Sequence, residues 1–451
     1  MFVSNARSLV ALALMGLCFV TATAEDWPSI LGPRGDGTSE EKLELPWPAE
    51  GPKVLWWKAV GEGYSAPIVA KGRLFVFDRT GDEARLSAWD AESGRELWQM
   101  RYPSRYEDYY GYSGGPRAAP LVDGEQVFTY GVEGRLRAHA VSDGRLLWEV
   151  DTVARFGVVQ NFFGVGASPV IEGELLIAVI GGSPAGSPPV SSGLVKGNGS
   201  GIVGFDKKTG AVRYQLSDEL AAYATPRLST LKGRRWAFAF TRGGLLAFEP
   251  TAGKVDFFFP WRAGKLESVN AASPVVAGDT VLISESYGPG SALLRVKPGG
   301  FEVVRQDPRR DQSLQQHWAT PVLRQGTLYA SSGQSSGEAE LRAVDHASGK
   351  VLWREKGLGR ANLTYADGHL LVLTETGRLL LVEARPERFV KVGELDLSAG
   401  SANDNSRAKT AISVSAERPR LLFPAWNAPV LSNGRLYLRG RDQIVCLKVG
   451  R

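Results

Sequence analysis

The sequence predicts an all-β protein: an eight-bladed β-propeller of four-stranded antiparallel blades, closed by an N-terminal strand. Three observations point there. The composition is turn-rich, a Pro-marked element recurs along nearly the whole chain, and the two chain ends read as complementary parts of one blade. Of 451 residues, 43% are hydrophobic and 22% charged, which excludes wholesale disorder. The 53 Gly, 25 Pro and 12 Trp favour many short strands and tight turns over long helices. The net charge of +5 is scattered, without runs of like sign, so nucleic acid is not an expected partner.

The repeating element is two small residues, Pro, and an apolar pair. It occurs at Pro67, Pro120, Pro169, Pro226, Pro274, Pro321 and Pro429, with a degenerate copy in which Leu363 replaces the Pro. A spacing near 50 residues fits one four-stranded unit per copy. Pro opens the first strand, where a missing N–H costs least. Gly then closes a tight hairpin, as at Lys71-Gly72, Asp123-Gly124 and Asn433-Gly434. The second strand is continuously apolar, as in Leu74-Phe75-Val76-Phe77, which implies burial on both faces between stacked sheets. A third strand ends at Asp90, Asp206 or Asp345. An Asp-x-x-Ser/Thr-Gly turn follows, and the fourth strand is read as ending on Trp98, Trp148, Tyr214 or Trp353. Radial repetition of such units makes a propeller. The last unit stops after its third strand, Val445 to Val449, while Val54-Leu55-Trp56-Trp57-Lys58 reads as a fourth strand. Pairing them completes blade eight and hides both edges.

Residues 1–24 read as a signal peptide. Arg7 precedes an apolar stretch too short for a membrane anchor, and Ala22-Thr23-Ala24 is a cleavage pattern. Residues 25–52 form an N-terminal extension and 53–451 the propeller. The expected location is the periplasm or the cell exterior, with no transmembrane segment. Leu17 before Cys18 argues against lipidation. Without the leader one thiol remains, Cys446, in an apolar run, so no intramolecular disulfide can form.

The segment Ala88-Trp89-Asp90-Ala91-Glu92-Ser93-Gly94-Arg95-Glu96-Leu97-Trp98, echoed from Ala343 to Trp353, resembles the tryptophan-docking repeat of the PQQ-like propellers. Asp26-Trp27-Pro28 and the residues after it resemble the start of secreted members. The resemblance implies the fold. It spans both quinoprotein dehydrogenases and the propeller subunit of the outer-membrane barrel-assembly machinery, so it does not choose a function. Quinoprotein alcohol dehydrogenases carry a vicinal disulfide and a Glu/Asn/Asp calcium site beside the quinone. This chain cannot make the first. For the second it offers only Asn403-Asp404-Asn405, which reads as a loop.

Insertions fall on the face opposite the tight turns, as at residues 102–117, 181–201 and 397–425. Long loops on one face of a rigid scaffold mark a binding face. The residues three before each repeat Pro should ring the channel mouth there: Tyr64, Arg117, Gly166, Tyr223, Ala271, Trp318 and Trp426, with Arg360 at the degenerate copy. Such a ring suits a flat anionic ligand or an aromatic peptide side chain, and equally a plug that seals the channel. His317 is the best-placed histidine, with a structural role favoured over that of a base. Tyr106, Tyr109 and Tyr110, with nearby Arg residues, form an interface candidate. No catalytic residue and no metal site is expected. The reading is a monomeric, non-catalytic scaffold for an envelope or extracellular protein or glycan. The alternative is a PQQ-binding dehydrogenase with an atypical site; no cofactor is required.

Overall fold

The computed structural model describes residues 25–159, 161–398 and 419–450. Among these the strands form eight antiparallel sheets in a ring, seven of them with their four blade strands in chain order from the axis outward. Blade 1 shows the plan: Ile68–Ala70, Arg73–Thr80, Glu83–Asp90 and Glu96–Pro103. Blades 2 to 7 repeat it over residues 121–151, 170–216, 227–260, 275–306, 322–355 and 361–396. Blade 8 takes Val430–Ser432, Arg435–Arg439 and Gln443–Lys448 from the C-terminus. Its outer strand is Val54–Ala59, antiparallel to Gln443–Lys448. The central strands are buried on both faces, so the core is a set of inter-blade layers rather than one centre. Cys446 is free and fully buried in the layer that includes blade 8.

The docking aromatic does not end the fourth strand as its sequence suggests; it is the third residue, just past a bulge. Trp98, Trp148, Tyr214 and Trp353 all follow this rule, and Trp56 rather than Trp57 is its counterpart in blade 8. The bulge turns the ring toward the next blade, where Trp56, Trp98, Trp148 and Tyr214 lie on the third-turn glycines Gly94, Gly144, Gly210 and Gly253, while Trp353 meets a turn without glycine. Gly210 has φ +71, and a Cβ there would come within 2.8 Å of the Trp148 ring. The indole Nε1 atoms of Trp56, Trp98, Trp148 and Trp353 donate to turn carbonyls at Glu92, Val141, Lys207 and Arg385, at 2.9–3.0 Å. Three positions depart from the pattern. In blade 4 Phe257 stands just past the bulge, but nothing lies within 4 Å of a Cβ placed on Gly299 in the third turn of blade 5. Arg305 takes the aromatic's place in blade 5, lying over Gly349 and donating to the His346 carbonyl. In blade 7 the position is Gly393, and Trp47 from the extension fills the space.

The extension crosses the turn face of the ring. Trp27 bridges to Val69 in blade 1, Val122 in blade 2 donates to the Pro28 carbonyl, and Arg227 in blade 4 donates to the Arg34 carbonyl. Thr38–Ser39 pairs in parallel with Tyr365–Ala366 as a fifth strand of blade 7. The chain therefore closes the axial channel at one end before it closes the ring.

Candidate functional site

The other end of the channel is open. An axial cavity of about 1390 Å³ runs from the loop-rich face down to Ile30, Leu31 and Gly37 of the extension. All eight residues that stand three before the repeat Pro, or its substitute, line it: Tyr64, Arg117, Gly166, Tyr223, Ala271, Trp318, Arg360 and Trp426. The repeat explains this. In seven blades the innermost strand starts one residue after the Pro, and in blade 7 it starts at Ala361, so the residue three before the Pro or Leu363 sits just ahead of the strand at the mouth. The aromatics surround the channel rather than plugging it.

The collar is uneven. Over half the ring, rings and guanidinium groups form a continuous arc. Tyr64 and Trp426 have centroids 4.8 Å apart, Trp426 and Trp318 4.8 Å, and Trp318 and His317 4.7 Å. Arg117 lies over Tyr64 and Phe163 at 5.7 and 5.6 Å. Arg360 lies over Trp318 and Trp426 at 4.8 and 5.3 Å. On the far side Gly166 and Ala271 flank Tyr223 and leave the wall low.

Of the three arginines that line the cavity, Arg117 and Arg360 are each held by a buried carboxylate that the repeat pattern does not reveal, while Arg441 is exposed. Asp108 accepts from Arg117 at 2.7 Å and from the backbone N–H groups of Tyr110, Tyr112 and Ser113, so it also shapes the tyrosine-rich loop. Glu375 accepts from Arg360 Nε at 2.8 Å, the Arg360 backbone N–H at 3.1 Å and Trp426 Nε1 at 3.2 Å. Burial raises the Glu375 carboxyl, but the Arg360 guanidinium outweighs it and holds the group below the usual range. With both guanidinium charges answered, the arc offers aromatic faces more than free cationic edges. Against this arc a flat anion is the weaker match, and Arg441 is the one cavity guanidinium without a carboxylate partner among the described residues.

His317 joins Tyr287 Oη through Nε2 at 3.0 Å. Burial, and secondarily Arg360, lowers its pKa to about 4, so it is a neutral imidazole at pH 7. The tyrosines of the interface candidate separate. Tyr109 and Tyr110 are 68% and 44% exposed at the mouth. Tyr106 is half-buried, its ring against Gly164 and its carbonyl accepting from Arg79. Tyr112 and Phe423, 57% and 41% exposed, complete an apolar rim.

Glu285, at the top of blade 5, is fully buried, with Ser268 Oγ donating to one oxygen at 2.9 Å. Burial pushes its pKa up to about 7. An acid raised on folding costs stability as pH climbs from its unfolded value to its folded one, and the cost then levels off. Glu285→Gln is expected to flatten the stability profile between pH 4.5 and 7 and to stabilise the protein by about 2 kcal/mol at pH 8. Urea unfolding across pH measures it; parallel profiles for both proteins would refute the assignment.

A calcium-bound quinone fits this cavity poorly. Calcium takes six to eight oxygens. Among the described residues no group of three or more His, Cys, Asp or Glu could hold a metal. Asp108 and Glu375 are committed to arginines, and Ser335 donates to Glu338. Asn403-Asp404-Asn405 lies outside the described residues, as does the leader.

Three overlapping segments, residues 49–187, 82–300 and 259–391, match the family model of outer membrane protein assembly factor BamB. The chain belongs to the BamB family. It is 34% identical over 102 residues to outer membrane protein assembly factor BamB of Alkalilimnicola ehrlichii, covering 21% of this chain and 22% of that one. With the same factor from Bordetella pertussis it shares 24% over 279 residues, 58% of this chain and 62% of that one. The aligned stretches thus span less than two thirds of either relative. Among solved structures, BamB from Moraxella catarrhalis superimposes with a TM-score of 0.56 at 15% identity, covering 88% of this chain and 97% of that one. Quinohemoprotein alcohol dehydrogenase from Comamonas testosteroni gives 0.62 at 11%, covering 96% and 82%. These two structural matches show the fold alone. Among the described residues no helix is long and apolar enough to cross a membrane.

Proposed function

We propose that this BamB-family propeller is an exported, monomeric, non-catalytic scaffold of the cell envelope. It holds a protein partner on the loop-rich face and seats an aromatic or apolar side chain of that partner in the axial cavity. The observation that carries this reading is the arc around the mouth, whose guanidinium groups are already paired and whose free surface is aromatic. The exposed rim of Tyr109, Tyr110, Tyr112 and Phe423 supplies the surrounding contact area. The family's role in outer-membrane protein assembly favours a protein partner over a glycan.

The test uses the purified chain lacking residues 1–24. Cross-linking in envelope extract is expected to capture a defined outer-membrane or periplasmic protein. Capture should fall at least tenfold in Trp318→Ala and in the double variant Tyr109→Ala, Tyr110→Ala, each aromatic anchor being worth ~2 kcal/mol or more. Titration with PQQ is expected to leave tryptophan fluorescence unchanged. Saturable micromolar quenching, lost in Arg117→Ala, would instead establish the quinone-binding alternative.

A further inference from the structure

Residue 25 is anchored to a degree unusual for the start of a domain, where chains ordinarily fray. Its backbone N–H donates to Glu41 Oε1 at 3.0 Å, and its carbonyl accepts from Ser432 Oγ at 2.7 Å. Its carboxylate takes both ends of the Arg34 guanidinium, at 2.6 and 2.9 Å. Glu41 is 4% exposed and accepts from the backbone N–H groups of Asn433 and Gly434 at 2.6 and 2.7 Å. Among the described residues Glu41 has no ion-pair partner, although its neighbour in the extension, Glu44, pairs with Lys448 and Glu25 with Arg34. Buried carboxylates are ordinarily matched by a cation. Here the group pointing at the carboxylate is the nitrogen of residue 25.

We propose that the amino group freed by cleavage after Ala24 is a structural part of the protein. It is an ammonium that pairs with Glu41 and locks the channel floor to the first hairpin of blade 8. Hydrolysis of the Ala24–Glu25 bond consumes one water and leaves a carboxylate on Ala24 and an ammonium on Glu25; no other reactant is needed. Before cleavage the donor is one neutral amide N–H. Afterwards it carries a full charge, and charge-assisted hydrogen bonds are about twice as strong. Processing therefore tightens the junction at which Thr38–Ser39 joins blade 7, Glu41 grips Asn433-Gly434, and residues 30–37 floor the cavity. The latch rests on reading Ala22-Thr23-Ala24 as a cleavage site.

Two measurements separate the latch from that reading. Intact mass of the exported protein is expected to begin at Glu25; any other start overturns the cleavage reading and the latch with it. Independently, the chain starting at Glu25 is compared with one extended by Thr23-Ala24, both released from fusions that leave those termini. The extended chain is expected to melt about 1–2 °C lower and to exchange the Asn433 and Gly434 amides faster. In Glu41→Gln the two forms should melt alike. Equal melting and exchange in the native background, or a gap that persists undiminished in Glu41→Gln, overturns the latch while leaving the cleavage reading standing. If Glu41→Gln does not fold, the native pair alone decides.

Discussion

A chain lacking residues 25–60 is expected to be recovered as aggregate, or as an expanded species without native circular dichroism. The deletion removes Val54–Ala59, the outer strand of blade 8, and exposes the full hydrogen-bonding edge of Gln443–Lys448. Such an edge is a template for pairing with other chains. The deletion also removes Trp56, which seals blade 8 against blade 1 through Gly94 and the Glu92 carbonyl, and Trp47, which fills the space over Gly393. Losing the buried Trp47 costs about 3–5 kcal/mol, and losing the partly buried Trp56 adds to it. That alone is comparable with the ~5–15 kcal/mol that holds an ordinary domain together. Size-exclusion chromatography and circular dichroism make the measurement. A monomeric truncation with a native spectrum would show that the ring does not depend on its closing strand.

Glu375→Ala is expected to destabilise the protein by about 3–5 kcal/mol, the cost of leaving a largely buried cation without its partner. The Glu375 side chain is 1% exposed and that of Arg360 17%. The damage should show in the collar. Arg360 rests against Trp318 and Trp426, and Trp426 donates to Glu375, so tryptophan emission should shift as the arc loosens. Adding Arg360→Leu is expected to recover much of the loss, because it removes the stranded charge. In the unmodified protein the same pair makes a pH signature. A carboxyl held below its unfolded value contributes stability that is present above that value and lost as pH falls through the folded one. This contribution should therefore begin to fall below about pH 4.5, the ordinary range of a glutamate, shrink further as pH drops through the lower folded value, and be absent from Glu375→Ala. Urea titrations at pH 7 and pH 3.5 test both points. A cost under 1 kcal/mol at pH 7 would mean that Arg360 swings into solvent, and the arc is then not braced as described.

Features confined to one stretch of chain are legible in the residues. The Pro-marked strand starts and the Asp-x-x-Ser/Thr-Gly turns lie within a dozen residues of what they organise. So does the position three before each Pro, and the mouth of the channel could be placed from it. The closing strand was visible because an incomplete last unit and an unassigned first strand are complementary in kind.

The partners of those mouth residues are not legible, because each is set by three-dimensional approach. Asp108 looks like an ordinary loop acid until the 102–117 insertion folds back and buries it under Arg117. Glu375 looks like a polar turn residue until the ring sets it beneath Arg360 and Trp426. Arg305 over Gly349 breaks a rule the sequence otherwise keeps, since a side chain of suitable shape can cover a docking glycine, and in blade 7 Trp47 fills the space left where Gly393 replaces the aromatic. The channel floor is likewise invisible in residues 25–44, whose contacts lie in blades 1, 2, 4, 6, 7 and 8. The sequence by itself determined the number of blades, their register and the mouth residues, because period and turn chemistry are local. Only the tertiary structure decided that the channel is open above and shut below, and that Arg117 and Arg360 are already paired. The floor joins segments more than 300 residues apart, and the arginine pairs, only 9 and 15 residues apart in the chain, form because loops fold back and bury both charges.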